Sequence, residues 1–325
     1  MTSRERVLTA LARRPTDRVP RDFWIEQPAL RRLQAHLGLD DEEAVRRRLR
    51  IDVRHLHPVY PADTRLRPVS RGCASSGPVA RGRACPHARE SLSVWQNYWG
   101  ERFIWKQTPW GPMREDLPGA LSEAASLEDL AAFAWPTPDR FDYSDLAEAA
   151  QRHDDYAQLY GFADVWQRPA LVRGWEHMFL DMAARPEWAH FLCRKFTDFY
   201  KEDYTRAAEA TGGRIDLYLL LSDLGSQAGP LISLPMFRDL VAPYLREMVD
   251  HIHSLGARVL YHSCGAIARF IPSGSSSYLT STALTLMPHG SVRSSMICCS
   301  SMLILSLAER TSSSSALPTT ERSVV

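Results

Sequence analysis

The chain has 325 residues, 45% of them hydrophobic and 24% charged, and its 39 Lys and Arg against 38 Asp and Glu leave a formal net charge of +1. That balance argues against nucleic-acid or anionic-membrane binding, and the apolar content is enough for a sizeable core. No apolar run reaches the roughly 18 residues of a membrane span, the N-terminus lacks a signal-peptide core, and the six irregularly placed cysteines suit a reducing compartment, so a cytoplasmic protein is expected.

Twelve arginines crowd the first fifty residues, but Asp40, Asp41, Glu42 and Glu43 interleave with them, the pattern of a solvated helix face. Residues 1–45 read as an N-terminal helical capping segment. Trp24, near an expected first strand, is a candidate substrate-lining residue, although a tryptophan there is most often core. His55 and His57 in "VRHLHP" are expected at a strand end on the surface. Cys73 and Cys85 fall in a Gly/Ser/Arg-rich loop without C-x-x-C spacing, as thiols outside any second zinc site. Residues 92–116 hold four of the nine tryptophans and no helical period, which predicts a hairpin or a long excursion.

From there the chain alternates. Short apolar runs at 156–163, 216–223 and 257–264 predict buried parallel strands. Between them lie two amphipathic helices, at about 186–210 and 233–256. Ser233 caps the second, Gly256 ends it, and Pro243 inside it should kink or loosen it. Repeated βα units follow, and an α/β fold. No Gly-rich phosphate cradle of either common spacing is present.

Past Pro272 the composition changes. Residues 273–325 contain 16 serines and no Trp, Phe, Asp or Lys. This Ser-rich tail reads as out-of-frame translation, with a disordered low-complexity extension as the alternative. The domain of βα repeats is expected to end at 272.

Two motifs carry chemistry. His262 and Cys264 in "VLYHSCGAI" are two apart at a strand end, so both point to one face, and an imidazole nitrogen and a thiolate are preferred zinc ligands. Asp223 ends "LYLLLSD" on the face of Leu219 and Leu221, and Gln227 follows on the loop. Asp223 is a candidate for proton handling or substrate positioning, Gln227 for substrate binding. An aspartate capping the next turn is the plain alternative.

The segments "MTSRERVLTALARRPTDRVPRDFW", "FAWPTPDRFDYSDL" and "LSDLGSQAGPLISLPMFRDLVAPYLREMVDHIHSLGARVLYHSCGAI" resemble the uroporphyrinogen decarboxylase superfamily, and more closely its methylcobalamin:thiol methyltransferase branch. The resemblance implies a (β/α)8 TIM-type barrel over 1–272, incomplete at its C-terminus, with chemistry at the C-terminal strand ends. It also implies zinc on His262, Cys264 and a distal cysteine, a corrinoid or corrinoid protein as methyl donor, and a small thiol as acceptor. The distal cysteine falls in the tail, where Cys298 and Cys299 in "SMICCSSM" lack the surroundings of a ligand, so zinc is expected to bind weakly and methyl transfer to be lost. The runner-up is metal-free decarboxylation of uroporphyrinogen, a tetrapyrrole, for which Arg21 and Asp22 only loosely match the substrate motif. The third reading is an inactive product with an open barrel.

Overall fold

The computed structural model describes residues 1–60, 67–73, 91–109, 111–270 and 302–303. Three helices open the chain: α1 (Ser3–Leu11), α2 (Gln27–Leu37) and α3 (Glu42–Arg48). Then come β1 (Val53–Leu56) and an antiparallel group, β2 (Arg67–Cys73), β3 (Ser91–Gln96), β4 (Arg102–Thr108) and β5 (Gly111–Leu117). Helices α4 (Leu127–Ala132) and α5 (Leu146–Arg152) lead to β6 (Ala157–Ala163), and α6 (Gln167–Arg173), α7 (Trp175–Ala184) and α8 (Pro186–Thr211) lead to β7 (Leu217–Leu221). A short α9 (Leu234–Met236) runs through a π-helical turn, Phe237–Val241, into α10 (Ala242–Ser254), followed by β8 (Arg258–His262) and β9 (Met302–Leu303).

Strands β1, β6, β7 and β8 form one parallel sheet in that order, with β9 antiparallel at its edge, while β2 to β5 make a separate antiparallel meander. The fold is therefore mixed α/β with a parallel sheet. The strands at 157–163, 217–221 and 258–262 and the long helix 186–211 lie where the apolar runs predict them, and the tryptophan-rich stretch is the antiparallel excursion. Pro243 has its expected effect: it lacks the N–H an unbroken helix needs, and the π turn lies immediately before it, between Phe237 and Val241.

Alternation along the strands divides the core. Tyr160, Tyr218, Leu220, Val259 and Tyr261 join the larger cluster with the helices, whereas Val53, Leu159, Leu217, Leu219 and Leu260 face the other way against Val7 and Leu11 of α1. His55 and His262 continue this second face by the same period of two. A bulge breaks β6 between Tyr160 and Ala163, where Gly161 adopts φ +87°. A Cβ on Gly161 would lie 2.4 Å from the Tyr204 ring, so only glycine fits there.

Three expectations need correction. Trp24 does not adjoin the first strand in sequence, since β1 begins at Val53 and Trp24 sits in the connection before α2. Cys73 lies in β2 rather than in a loop, paired with β3. His55 is not a surface residue, since its side chain is only 13% exposed and hydrogen-bonded to Asp22. Cys85, Cys298, Cys299 and nearly all of the tail lie outside the described residues.

Candidate metal centre

Strands β7 and β8 are parallel neighbours with Leu221 beside His262, so the loops that leave them start level. The backbone laces those loops together. Ser222 N–H donates to His262 O at 3.0 Å, Leu224 N–H to Ser263 Oγ at 3.0 Å, and Ala266 N–H to Ser226 O at 2.9 Å. Two glycines permit this closeness. A Cβ on Gly265, which has φ +78°, would meet Gly225 carbonyl atoms at 2.3 and 2.4 Å, and one on Gly225 would meet Ala266 N at 2.7 Å. The glycines of the Asp-Leu-Gly and His-Ser-Cys-Gly motifs are thus a matched pair that lets two main chains touch.

The lacing brings the donors together. Asp223 Oδ1 accepts the Cys264 amide N–H at 2.7 Å and lies 3.6 Å from His262 Nε2, and Cys264 Sγ lies 3.4 Å from the same nitrogen. One donor atom from each of Asp223, His262 and Cys264 falls within 4.8 Å of the others. The buried indole of Trp166 fixes the Asp223 backbone by donating Nε1–H to its carbonyl at 3.1 Å. His262 is buried, and burial pushes its imidazole below the usual histidine pKa against the opposing pull of Asp223, so the ring is neutral at pH 7. Its buried Nδ1 has no hydrogen-bond partner among the described residues. An unmet buried nitrogen costs about 1–3 kcal/mol, a cost typical of positions kept for chemistry.

Trp24, which the sequence nominated, lies beside the triad with its ring 5.8 Å from His262. Gln227 is exposed on the turn between Gly225 and Pro230, and among the described residues no bond joins it to the triad. Sequence reasoning missed three neighbours. Phe162 packs 5.1 Å from the Trp24 ring and is exposed because the β6 bulge turns it outward. Asp22 and His55 pair at 2.9 Å, and Trp24 Nε1 approaches the same His55 nitrogen at 3.1 Å. The signal for His55 was present, since it follows Val53 by two on the face that also carries His262. Phe162 had none, because a bulge breaks the period that would have placed it.

The segment that carries both motifs, residues 162–283, matches the family described as Uroporphyrinogen decarboxylase (URO-D), in agreement with the resemblance read from the sequence. A solved structure described as a methyltransferase from Methanosarcina mazei is 15% identical, with a TM-score of 0.45 over 82% of this chain and 70% of that one. No curated protein matches. Among the described residues, no helix is long and apolar enough to cross a membrane.

Proposed function

We propose that the chain is a zinc-dependent methyl or alkyl transferase that moves a methyl group from a corrinoid, free or carried on a protein, to a small thiol. Its parallel sheet is proposed to belong to a (β/α)8 barrel whose C-terminal face holds the site. The observation that carries this reading is the Asp223, His262 and Cys264 donor set, within 4.8 Å at the ends of two adjacent parallel strands.

The residues fit zinc by their chemistry. A neutral imidazole, a sulfur and a carboxylate oxygen are all zinc donors, and three protein donors leave one position for a substrate. The expected weak binding counted only His262 and Cys264, and Asp223 supplies a third donor without the tail. When bound, zinc would supply Lewis acidity that lowers the pKa of a substrate thiol, so that a thiolate is available near pH 7.

The chain's own residues do the rest. The Cys264 amide occupies Asp223 Oδ1 and so sets the carboxylate's orientation. The Gly225 and Gly265 contact holds both loops in register. Trp24 and Phe162 place an apolar wall beside His262 that keeps water from one side of a bound thiol.

The decarboxylase alternative finds less support. It needs Arg21 for substrate carboxylates and Asp22 for the rest of the tetrapyrrole, yet the Arg21 guanidinium donates to Leu49 O and Asp22 is engaged by His55. A metal-free reaction also has no use for the donor triad. The test is the full chain, loaded with zinc, mixed with methylcobalamin and 2-mercaptoethanol. Zinc-dependent loss of methylcobalamin absorbance that His262→Ala abolishes is expected. Metal-free decarboxylation of uroporphyrinogen without methyl transfer would contradict the reading.

A further inference from the structure

Asp22 and His55 stand outside the donor triad, and the transferase reading gives them no task. They come from different elements: Asp22 from the connection before α2, His55 from β1, the strand farthest from β8 among the four parallel ones. Each side chain is only 13% exposed. His55 Nε2 lies 2.9 and 3.2 Å from the two carboxylate oxygens of Asp22. The indole nitrogen of Trp24 is 3.1 Å from the same Nε2.

Nε2 cannot satisfy both neighbours. A lone pair there suits the indole N–H, whereas a proton there suits the carboxylate. The carboxylate contact is shorter and charge-assisted, and such bonds are roughly twice as strong as neutral ones, so Nε2 carries the proton. The lone pair of the neutral ring then lies on Nδ1, which makes no hydrogen bond among the described residues. A carboxylate that fixes the tautomer on one side of an imidazole and leaves a basic nitrogen on the other is the arrangement of a general base.

The rings of His55 and His262 flank one residue. The Trp24 ring lies 5.7 Å from the His55 ring and 5.8 Å from the His262 ring, so a small molecule lying along the indole reaches both. We propose that His55, oriented by Asp22, accepts the proton of the thiol substrate as that thiol is delivered to the donor triad. The inference rests on the transferase reading. The S–H bond breaks, its electron pair stays on sulfur, and the proton bonds to His55 Nδ1. The resulting imidazolium is neutralised by the Asp22 carboxylate. His55 would be the residue in contact with substrate, and Asp22 a positioning residue acting through it.

The experiment has two arms, both independent of turnover. The first is the tautomer of His55, from long-range proton–nitrogen NMR spectra of histidine-labelled full-length protein assigned with His55→Gln. A protonated Nε2 in the wild type, lost in Asp22→Asn, is expected; a protonated Nδ1 and bare Nε2 overturns the proposal. The second is proton release when 2-mercaptoethanol is added to the zinc-loaded protein in weak buffer. The wild type should release clearly less than one proton per thiol bound and His55→Gln close to one, whereas equal release overturns the proposal. A His55→Gln protein that no longer binds zinc also overturns it, because His55 would then be part of the site's scaffold. If zinc-loaded protein binds no thiol, the transferase reading fails, and the Asp22–His55 pair is judged on the NMR arm alone.

Discussion

The two ends of the parallel sheet use charge in opposite ways. At the N-terminal end, Asp52 is fully buried and saturated: Arg6 reaches it at 2.7 Å, Arg18 binds both of its oxygens at 2.7 Å, and the Arg21 amide donates at 2.8 Å. Arg6 also holds Asp17 at 2.6 and 2.7 Å. At the C-terminal end, His262 keeps a buried nitrogen without a partner among the described residues, its neighbours are a thiol and a half-buried carboxylate, and two aromatic rings stand exposed beside it. At one end the Asp52 carboxylate is fully paired and stabilises the fold; at the other three donor atoms converge around a histidine whose buried Nδ1 has no partner among the described residues, which is where chemistry is expected. A cavity of about 620 Å³ at the N-terminal end does not change this, since the Arg6, Arg18 and Asp17 that line it are already bonded.

The largest effect should come from breaking the saturated end. Asp52→Ala leaves Arg6, 8% exposed, without its buried partner, and removing one member of such a pair costs about 3–5 kcal/mol. Urea unfolding should show that loss, while zinc affinity of the protein that remains folded is unchanged. A cost below about 1 kcal/mol, the surface ion-pair range, would show that the two ends are not energetically distinct.

Next is the glycine contact. Gly265→Ala adds a Cβ into the Gly225 carbonyl at positive φ, whereas Gly213→Ala at φ +75° meets nothing within 4 Å. Both carry strain of about 1–3 kcal/mol, so the difference between them isolates the close approach of the loops. Gly265→Ala should be the less stable and should lose zinc; Gly213→Ala should keep it. Equal behaviour would mean the lacing does not position the donors.

Acid should separate the ends by pH. The Arg6 hydrogen bond holds Asp17 down to about 2, and Asp52 also lies below its usual value, because hydrogen bonds from Arg18, the Arg21 amide, Ser3 and Arg6 outweigh its burial. Groups lowered in this way add stability above the ordinary carboxylate value of 3.8, which is lost as pH falls toward the folded value. His262 is also lowered, so its neutral folded form adds stability above 6.5 that is lost as pH falls below it. His57, His153 and His251 are lowered by burial as well, so stability should decline first below about 6.5 and again below about 3.8, and His262→Gln should remove its own share of the first decline only. An unchanged first decline in that variant would assign it elsewhere.

The smallest effect is at the aromatic wall. Phe162 is 39% exposed, so Phe162→Ala should cost less than about 1 kcal/mol in thermal unfolding. It should still weaken thiol binding, because the ring lies next to Trp24 rather than in the core.

Much of the sheet could be read from the chain. Leu217 to Leu221 and Val259 to Tyr261 are continuous apolar runs, as strands buried on both faces must be, and the period of two carries His262 onto the face of Leu260, while Cys264, beyond the end of the strand, reaches within 3.4 Å of it from the loop. The meeting of Asp223 with them could not be read, because it depends on Gly225 and Gly265 touching across 40 residues of chain. Nor could the Asp22–His55 contact, which spans 33 residues and joins an irregular segment to a strand. Trp24 was selected for the right neighbourhood but the wrong local structure, since a tertiary contact with His55 and His262, not a strand, holds it there.

The central claim, that Asp223, His262 and Cys264 form one metal site, is tested most directly by cobalt(II) and zinc titration of the full chain and its variants. The account predicts one equivalent of metal, with a sulfur-to-cobalt charge-transfer band that Cys264→Ser removes. His262→Ala should weaken zinc by more than about tenfold, and Asp223→Asn by about tenfold or more. No stoichiometric binding, or binding with the same affinity in all three variants, would contradict it.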